Sequence, residues 1–308
     1  MSWQQIHIQC TKDQVELAEA LFYEAEAVSI LLEDAGDEPL FEPMPGEEPL
    51  WGDVIMTAIF DTHSSDHFAG TDFEALANQI AAEAGASRVW LTCIDDKDWT
   101  REWMSHYKPI KCAGNLWIVP QWLEAPDPNA INLILDPGLA FGTGYHATTR
   151  LCLDWLSQQD LQGKTVIDYG CGSGILGVGA LLLGAKQVLA VDIDPQAVLA
   201  TKQNAKLNGV ADKIQVFLPE EFQAFWQEQG QLADTITANI LAKPLIHFAP
   251  YFATLLKDNG SIVLAGLIQN QVTDVTNAYT PHFDIDPPFC YDNPDDAHWC
   301  RLSAQKRS

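Results

Sequence analysis

The chain has 308 residues, of which 47% are hydrophobic and 19% are charged, and its formal net charge is −25. A chain of this length is expected to form two domains, each large enough to bury a core. No apolar run reaches the ~18 residues of a membrane span, and the N-terminus carries no basic region before an apolar stretch. We therefore expect a cytoplasmic protein with no signal peptide and no membrane partner.

The charge comes from 42 acidic against 17 basic residues. A negative field of this size repels phosphate backbones, so we expect no direct nucleic-acid partner. The same field attracts basic proteins or peptides. Solubility or a saline habitat accounts for the acidity equally well, so the charge alone does not choose a function.

The seven cysteines are scattered along the chain, and none lies in CxxC spacing. An odd, scattered set argues against a disulfide framework and against a zinc site. We therefore expect reduced thiols and no bound metal.

The first 95 residues alternate between strand and helix patterns in the order βαββαβ, which is the order of a ferredoxin-like α+β domain. Thr11 is the predicted N-cap of the first helix. The stretch 35–53 is rich in proline, glycine and acidic residues and is predicted to be a loop. No catalytic constellation occurs here, so we assign residues 1–95 to substrate recognition. Strands are predicted at 3–10, 28–34, 54–61 and 87–95.

Residues 96–130 are predicted to be a linker helix and an entry strand. Trp99 and Trp103 lie four residues apart, which places both on one face of a short helix. We interpret the pair as the buried face of a connector helix, because an apolar pair at this spacing usually packs inward. A substrate-contacting aromatic pair is the alternative.

Residues 131–308 are predicted to form a Rossmann-like α/β domain. From Thr165 onward, short apolar strands alternate with helices, a pattern typical of a parallel sheet covered on both faces. Ligands of such sheets bind at the carboxyl ends of the strands. The segment from residue 282 is predicted to return as a hairpin that closes the sheet.

Two glycine-rich clusters open this domain. The first, "DPGLAFGTGYHATTR" at 136–150, has no lysine where a phosphate-binding P-loop requires one. The second, "DYGCGSGILG", contains the dinucleotide fingerprint GxGxxG, and it also contains GxGxG at Gly170, Gly172 and Gly174. Glycines at such a turn let the backbone approach a ligand that a Cβ would exclude.

Carboxylates follow the first two strands of the domain. Asp168 precedes the second cluster, where a carboxylate suits the ammonium end of S-adenosylmethionine better than a pyrophosphate. Asp192 ends the next strand, at the place where a carboxylate binds ribose hydroxyls. Both S-adenosylmethionine and NAD carry an adenosine ribose, so Asp192 does not choose between them. Asp194 is the predicted N-cap of a helix that begins at Pro195.

Asn239, in "TANILAKPL", is predicted to lie at the carboxyl end of the fourth strand. A side-chain amide there, together with backbone carbonyls, can accept hydrogen bonds from an amine and orient its lone pair toward a sulfonium methyl group. A turn residue that bonds its own backbone is the alternative.

The runs "LDPGLAFGTGYHATT", "VIDYGCGSGIL", "VDIDPQA" and "ANILAKPL" together resemble the ribosomal protein L-eleven methyltransferase family, PrmA type. The resemblance extends to "FEPMPGE", "LWGD" and "DKDWTREW" and so covers nearly the whole chain. Tyr145 and Ala147 depart from the family, in which threonine and proline often occupy these places of GTGxHxTT.

This resemblance implies a class I methyltransferase domain at 131–308 that binds S-adenosylmethionine, with a substrate-recognition domain before it. It implies methylation of lysine side chains and of the N-terminal amine of a basic large-subunit ribosomal protein, with Asn239 as the catalytic residue. The first glycine loop is then expected to fold over a cofactor that rests on the second. The implied cofactor-binding residues are Thr149, Gly170, Asp192 and Asn239, together with Gly172 and Phe141 in the two loops.

Other functions remain open at this level. A methyltransferase could act on another protein or on a small molecule, because cofactor motifs do not read the acceptor. An NAD-dependent oxidoreductase has only GxGxxG in its favour, and a non-enzymatic ribosome-assembly module would be expected to have lost some of these site residues. His146 is a candidate general base for the acceptor amine, pending its geometry.

Overall fold

The computed structural model describes residues 2–36, 50–62, 68, 70–95, 104, 107–136, 142–230, 232–291 and 298–308. The chain divides into two compact units, Met1–His106 and Tyr107–Ser308. This division falls within the segment 96–130 that the sequence assigns to a linker. Trp99 and Trp103 lie outside the described residues.

The described residues of the first unit form β1 (Ser2–Thr11), α1 (Val15–Glu24), β2 (Ser29–Asp34), β3 (Asp53–Asp61), α2 (Phe73–Ala84) and β4 (Arg88–Asp95). The four strands form an antiparallel sheet in the order β2-β3-β1-β4, and the βαββαβ connectivity is that of a ferredoxin-like domain, as expected. Thr11 precedes a short 3₁₀ turn, and its backbone N–H donates to Gln14 Oε1 at 2.8 Å.

The core of the first unit lies between one face of this sheet and the two helices. Ile6 and Ile8 of β1 are fully buried, because alternate side chains of a strand point to the same face. Phe22 of α1 and Ile80 of α2 pack into the same cluster. The other face of the sheet therefore carries a different set of residues.

The described elements of the second unit are β5 (Ile110–Lys111), β6 (Leu116–Pro120), β7 (Ile131–Leu135), α3 (Ala147–Leu156), β8 (Thr165–Tyr169), α4 (Ile175–Leu182), β9 (Gln187–Val191), α5 (Pro195–Leu207), β10 (Ile214–Phe217), α6 (Pro219–Gln229), β11 (Ala233–Asn239), α7 (Ala242–Leu255), β12 (Leu256–Ile268), α8 (Val272–Tyr279), β13 (Phe283–Ile285), β14 (Phe289–Cys290) and β15 (Trp299–Lys306). In a small sheet, β6 pairs antiparallel with β5 and parallel with β7. The larger sheet has strand order β10-β9-β8-β11-β12-β15-β13, and β14 pairs with β15.

The larger sheet is parallel from β10 to β12 and antiparallel where β15 joins β12 and β13. Its order runs outward from β8 to β10 in one direction and from β8 to β11 in the other. The topological switch point therefore lies between β8 and β11, where an open α/β sheet leaves a crevice for ligands. The Rossmann-like fold and the closing C-terminal strands agree with the sequence prediction.

Three helices of the second unit, α3, α6 and α8, are absent from the sequence prediction. α3 begins inside the first glycine cluster, where we expected only loop, because His146 caps it. α6 buries only Phe222 completely, so its apolar period is weak. α8 is short and buries only Val275 and Tyr279.

The prediction that the thiols are reduced is wrong for one pair. Cys290 and Cys300 form a disulfide. They lie directly opposite each other where β14 pairs with β15, with their Cα atoms 4.0 Å apart. The spacing of the cysteines in the sequence does not predict this pairing, because the two residues meet only when β14 pairs with β15. The other five cysteines are free.

Within the described ranges, none of the helices is long and apolar enough to cross a membrane.

Candidate cofactor-binding site

Three predicted site residues follow neighbouring parallel strands. Gly170 comes directly after β8, Asp192 directly after β9, and Asn239 ends β11. These strands are adjacent in the order β9-β8-β11, and parallel strands have their carboxyl ends at one edge. The structure therefore brings the three residues to the edge of the sheet at its switch point.

The backbone conformation and the surroundings of residue 170 require a glycine. Its φ is +76°, in the left-handed region that favours glycine. A Cβ at this position would lie 2.2 Å from Ile240 Cγ2. The Gly170 N–H donates to the Val191 carbonyl at 2.8 Å, which holds the turn against the end of β9.

Asp192 is bonded directly to the second glycine turn. Its Oδ2 accepts from the Gly172 N–H at 2.8 Å, and its Oδ1 accepts from the Asp194 N–H at 3.0 Å. Each carboxylate oxygen keeps acceptor capacity for a further donor, and the side chain is partly exposed. Asp194 caps α5 by accepting from the Gln196 N–H at 2.8 Å, which confirms its predicted role.

Thr149 and Asn239 meet although 90 residues separate them. Thr149 is completely buried in α3. The Asn239 Nδ2 lies 3.5 Å from Thr149 Oγ1, at the long limit of a hydrogen bond. The first glycine cluster therefore reaches the strand end that carries Asn239. Phe141, the remaining predicted residue, lies outside the described residues.

Two side chains that sequence reasoning missed join the glycine clusters to each other. The Ser173 hydroxyl donates to the Gly142 carbonyl at 2.6 Å. Asn204 of α5 accepts from the Asp136 N–H at 3.0 Å and donates to the Ser173 carbonyl at 2.8 Å. Asn204 is only 1% exposed, and a buried amide inside a helix is the signal that could have revealed this role.

Asp168 does not face the site, contrary to our interpretation of it as a ligand carboxylate. Its side chain is completely buried. One oxygen accepts from the Gly177 N–H at 2.8 Å and the other from the Thr237 hydroxyl at 3.0 Å. Burial raises the pKa of Asp168 to about 7, although both hydrogen bonds oppose that change. Asp168 therefore organises the turn from within the protein.

His146 uses its ring as a helix cap. Its Nδ1 accepts from the Thr148 N–H, and the Thr148 Oγ1 lies 2.7 Å from the same nitrogen. The ring also packs edge-to-face on Trp299, with 4.5 Å between the centroids. A neutral ring with Nδ1 as acceptor carries its proton on Nε2. This geometry argues against the general-base hypothesis, since neither nitrogen then offers an acceptor to an incoming amine.

Tyr145, one of the two departures from the family pattern, anchors the first cluster. Its hydroxyl donates to the Lys108 carbonyl at 2.5 Å. Its ring packs edge-to-face on Tyr107, with 4.7 Å between the centroids. A threonine could not make this ring contact, so the substitution adds an anchor on this side of the loop.

Replacing Asp168 by asparagine should change how stability depends on pH. Because its pKa in the folded state is raised, the favourable contribution of Asp168 is complete below its ordinary pKa and is lost as the pH rises toward about 7. The free energy of unfolding of the wild type, minus that of Asp168→Asn, should therefore fall from pH 5.5 to about 7 and then level off. Urea titrations across this range measure it.

The exposed Asp212→Asn is the matched control, and its difference from the wild type should stay level over the same range. A level difference for Asp168→Asn as well would show that the Asp168 carboxyl titrates normally in the folded protein.

Replacing Asn204 by alanine should lower the free energy of unfolding by about 2–6 kcal/mol. The substitution leaves the Asp136 N–H and the Ser173 carbonyl without their partner, at roughly 1–3 kcal/mol for each unsatisfied group. Denaturant unfolding measures the loss. The exposed neighbour Gln203→Ala should be close to neutral. Equal effects of the two substitutions would mean that the bonds of Asn204 do not hold the loops.

Comparison with known proteins agrees with this architecture. The family model described as ribosomal protein L11 methyltransferase (PrmA) matches residues 2–307. Proteins named ribosomal protein L11 methyltransferase are 62% identical in Psychrobacter arcticus, over 98% of both chains, and 50% identical in Acinetobacter baylyi, over 100% of this chain and 99% of the other. The crystal structure of ribosomal protein L11 methylase from Lactobacillus delbrueckii subsp. bulgaricus aligns with a TM-score of 0.57 at 31% identity, over 66% of this chain and 100% of that one. The chain belongs to the ribosomal protein L11 methyltransferase (PrmA) family.

Proposed function

We propose that this chain transfers methyl groups from S-adenosylmethionine to lysine side-chain and N-terminal amino groups of ribosomal protein L11. The observation that carries the proposal is the meeting of Asn239 and Thr149 at the switch point, beside the turn of Gly170 and Gly172. The names of the family and of its relatives supply the acceptor protein.

The residues present fit S-adenosylmethionine. The turn at Gly170 has no side chain, so a ligand can approach the backbone at the carboxyl end of β8. Asp192, at the end of β9, has carboxylate oxygens that can accept hydrogen bonds from ribose hydroxyls. The hydroxyl of Thr149 is a donor for the methionine carboxylate. S-adenosylmethionine, when bound, supplies an electrophilic methyl group on a cationic sulfur. The protein therefore needs to provide placement more than acid–base groups.

The acceptor amine must be neutral and correctly oriented before it can attack. The side-chain carbonyl of Asn239, with neighbouring backbone carbonyls, can accept the N–H bonds of the amine and so direct its lone pair. Desolvation at the sheet edge lowers the pKa of a lysine amine, so the proton can leave to solvent without a dedicated base. Loss of the proton to solvent is consistent with the position of His146, because its Nδ1 already accepts a hydrogen bond from the first turn of α3.

The acidity of the chain supports a basic protein as the acceptor. The net charge of −25 attracts a positive partner and repels free nucleic acid. We assign recognition of that partner to residues 1–95 and methyl transfer to residues 131–308.

Asp192→Ala should weaken S-adenosylmethionine binding by roughly 1.5–3 kcal/mol, or about 10- to 150-fold in Kd, the range for a hydrogen bond to a charged group. Titration calorimetry measures the change. Asp194→Ala is the matched control, because it removes a neighbouring carboxylate that caps α5 and should leave the Kd near that of the wild type. Equal affinities of Asp192→Ala and the wild type would remove Asp192 from the ribose site.

The decisive experiment incubates the protein with methyl-labelled S-adenosylmethionine and ribosomal proteins from cells that lack this methyltransferase. Mass spectrometry should find label on L11, at lysine side chains and the N-terminal amine, and none with Asn239→Ala. Label on a different protein, or on a small molecule, would keep the methyltransferase and replace its acceptor. Absence of cofactor binding would contradict the proposal as a whole.

A further inference from the structure

The short strand β14 is held to the second unit mainly by its disulfide. It spans two residues and, among the described strands, pairs with β15 alone. The Tyr291 N–H extends this pairing by donating to the Trp299 carbonyl at 2.8 Å. The side chains of Phe289 and Tyr291 are 52% and 39% exposed, so their burial stabilises the strand little. A two-residue pairing is marginal by itself, and the bond between Cys290 and Cys300 is therefore the main attachment.

We call β14, Tyr291 and the first three residues of β15 the hairpin. Its two cysteines lie on one face, and the residues on either side of them lie on the other, because neighbours in a strand alternate between faces. On this second face, the Trp299 ring packs edge-to-face on His146, the cap of α3, with 4.5 Å between the centroids. The Arg301 Nη1 donates to the Leu151 carbonyl of α3 at 3.4 Å. The hairpin therefore supports the beginning of α3.

Arg150 is the residue of α3 that depends on the β14 side of the hairpin. Its guanidinium lies 5.4 Å from the centre of the Tyr291 ring. Its Nε is buried and has no hydrogen-bond partner in the described part of the chain, so the ring contact is a main restraint on this side chain. Arg150 directly follows Thr149, whose Oγ1 lies 3.5 Å from the Asn239 Nδ2. The disulfide is thus linked through two side chains to a predicted cofactor-binding residue.

Cys290 is the accessible sulfur of the disulfide, because it is half-buried whereas Cys300 is fully buried. Cys93 of the first unit is free and exposed. Burial raises the pKa of the other free thiols, which keeps them protonated and unreactive: Cys10, Cys112, Cys152 and Cys171. A dissolved thiol or disulfide therefore reacts first at Cys290 and Cys93.

We propose that Cys290 and Cys300 form a redox-modification site, whose disulfide strengthens the binding of S-adenosylmethionine by holding the first turn of α3. The oxidant is a small-molecule disulfide and the reductant is the corresponding thiol, with glutathione as the probe. The proposal rests on the proposed function for its cofactor and adds to it a control by thiol chemistry.

The oxidation proceeds by two exchange steps. The Cys290 thiolate attacks one sulfur of glutathione disulfide, which forms a mixed disulfide and releases one glutathione. The Cys300 thiolate then attacks the Cys290 sulfur and releases the second glutathione. The cysteine pair loses two electrons and two protons, and glutathione disulfide gains them. Reduction reverses both steps and begins at the accessible Cys290 sulfur.

Reduction leaves β14 attached by its backbone hydrogen bonds. A strand held in this way opens locally at a low free-energy cost. When it opens, Tyr291 leaves Arg150, and α3 loses one of its restraints. β15 remains between β12 and β13 in the sheet, so Trp299 and Arg301 keep their contacts with α3. The expected effect on the cofactor is therefore a weaker affinity and not a complete loss.

The test equilibrates the full-length wild type in glutathione buffers from fully reduced to fully oxidised. Alkylation followed by peptide mass spectrometry measures the fraction of the Cys290–Cys300 disulfide, and calorimetry measures the Kd for S-adenosylmethionine. The Kd should be about two- to tenfold higher in the reduced protein, the size of one lost cation–π contact. Without cofactor, amide hydrogen exchange in α3 should be faster after reduction by a similar factor, while exchange in α5 stays the same.

Four variants assign the effect to the hairpin. Cys290→Ser should behave as the reduced protein in every buffer, whereas the control Cys93→Ser should follow the wild type. Tyr291→Ala should raise the Kd to the reduced value even with the disulfide intact. Tyr291→Phe keeps the ring beside Arg150 and should follow the wild type.

The proposal fails if the two cysteines stay reduced in the most oxidising buffer, or if the Kd and the α3 exchange rate are the same in both states. A Kd change that persists in Cys290→Ser and disappears in Cys93→Ser would move the site to Cys93. Absence of cofactor binding in both states would instead contradict the proposed function. The exchange rate of α3 would then still decide whether the disulfide holds this helix.

Discussion

The buried carboxylate of Asp168 fixes the geometry from which the candidate site is built. It bonds the first turn of α4 through Gly177 and the middle of β11 through Thr237. Gly170 follows Asp168 by two residues, and Asn239 follows Thr237 by two. One side chain in the interior thus sets the relative positions of the two strand ends at the switch point. Burial disfavours the charged form of this carboxyl group, which is why the pKa of Asp168 rises to about 7.

The site is assembled from pieces that are distant in sequence but adjacent along the sheet edge. Helix α5 supplies Asn204, which bonds backbone groups on both glycine clusters, and Ser173 supplies the remaining link. Such bonds satisfy backbone groups that irregular segments would otherwise bury without partners. The two glycine clusters therefore form one structure. The second cluster provides the turn at the end of β8, and the first cluster is hydrogen-bonded to it through Ser173 and Asn204.

The two units differ in charge and in the groups that they carry. The second unit carries the strand ends, the glycine turn and the buried polar network, which together provide placement for a reaction that needs little acid–base chemistry. The first unit carries most of the negative charge, because residues 1–106 contain 22 acidic and 4 basic residues. A protein acceptor requires both properties, because its attraction depends on the field and its reaction depends on the position of one amine.

The sequence by itself determined the βαββαβ order, the parallel strands, the capping role of Asp194 and the strand-end positions of Gly170, Asp192 and Asn239. These follow from local periodicity and turn chemistry, which a short window of residues contains. Only the tertiary structure decided that Asp168 points inward, that His146 caps a helix, that Cys290 pairs with Cys300, and that Asn204 joins the loops. Each of these depends on which distant group meets a side chain, and burial and pairing across strands are set by packing rather than by sequence spacing.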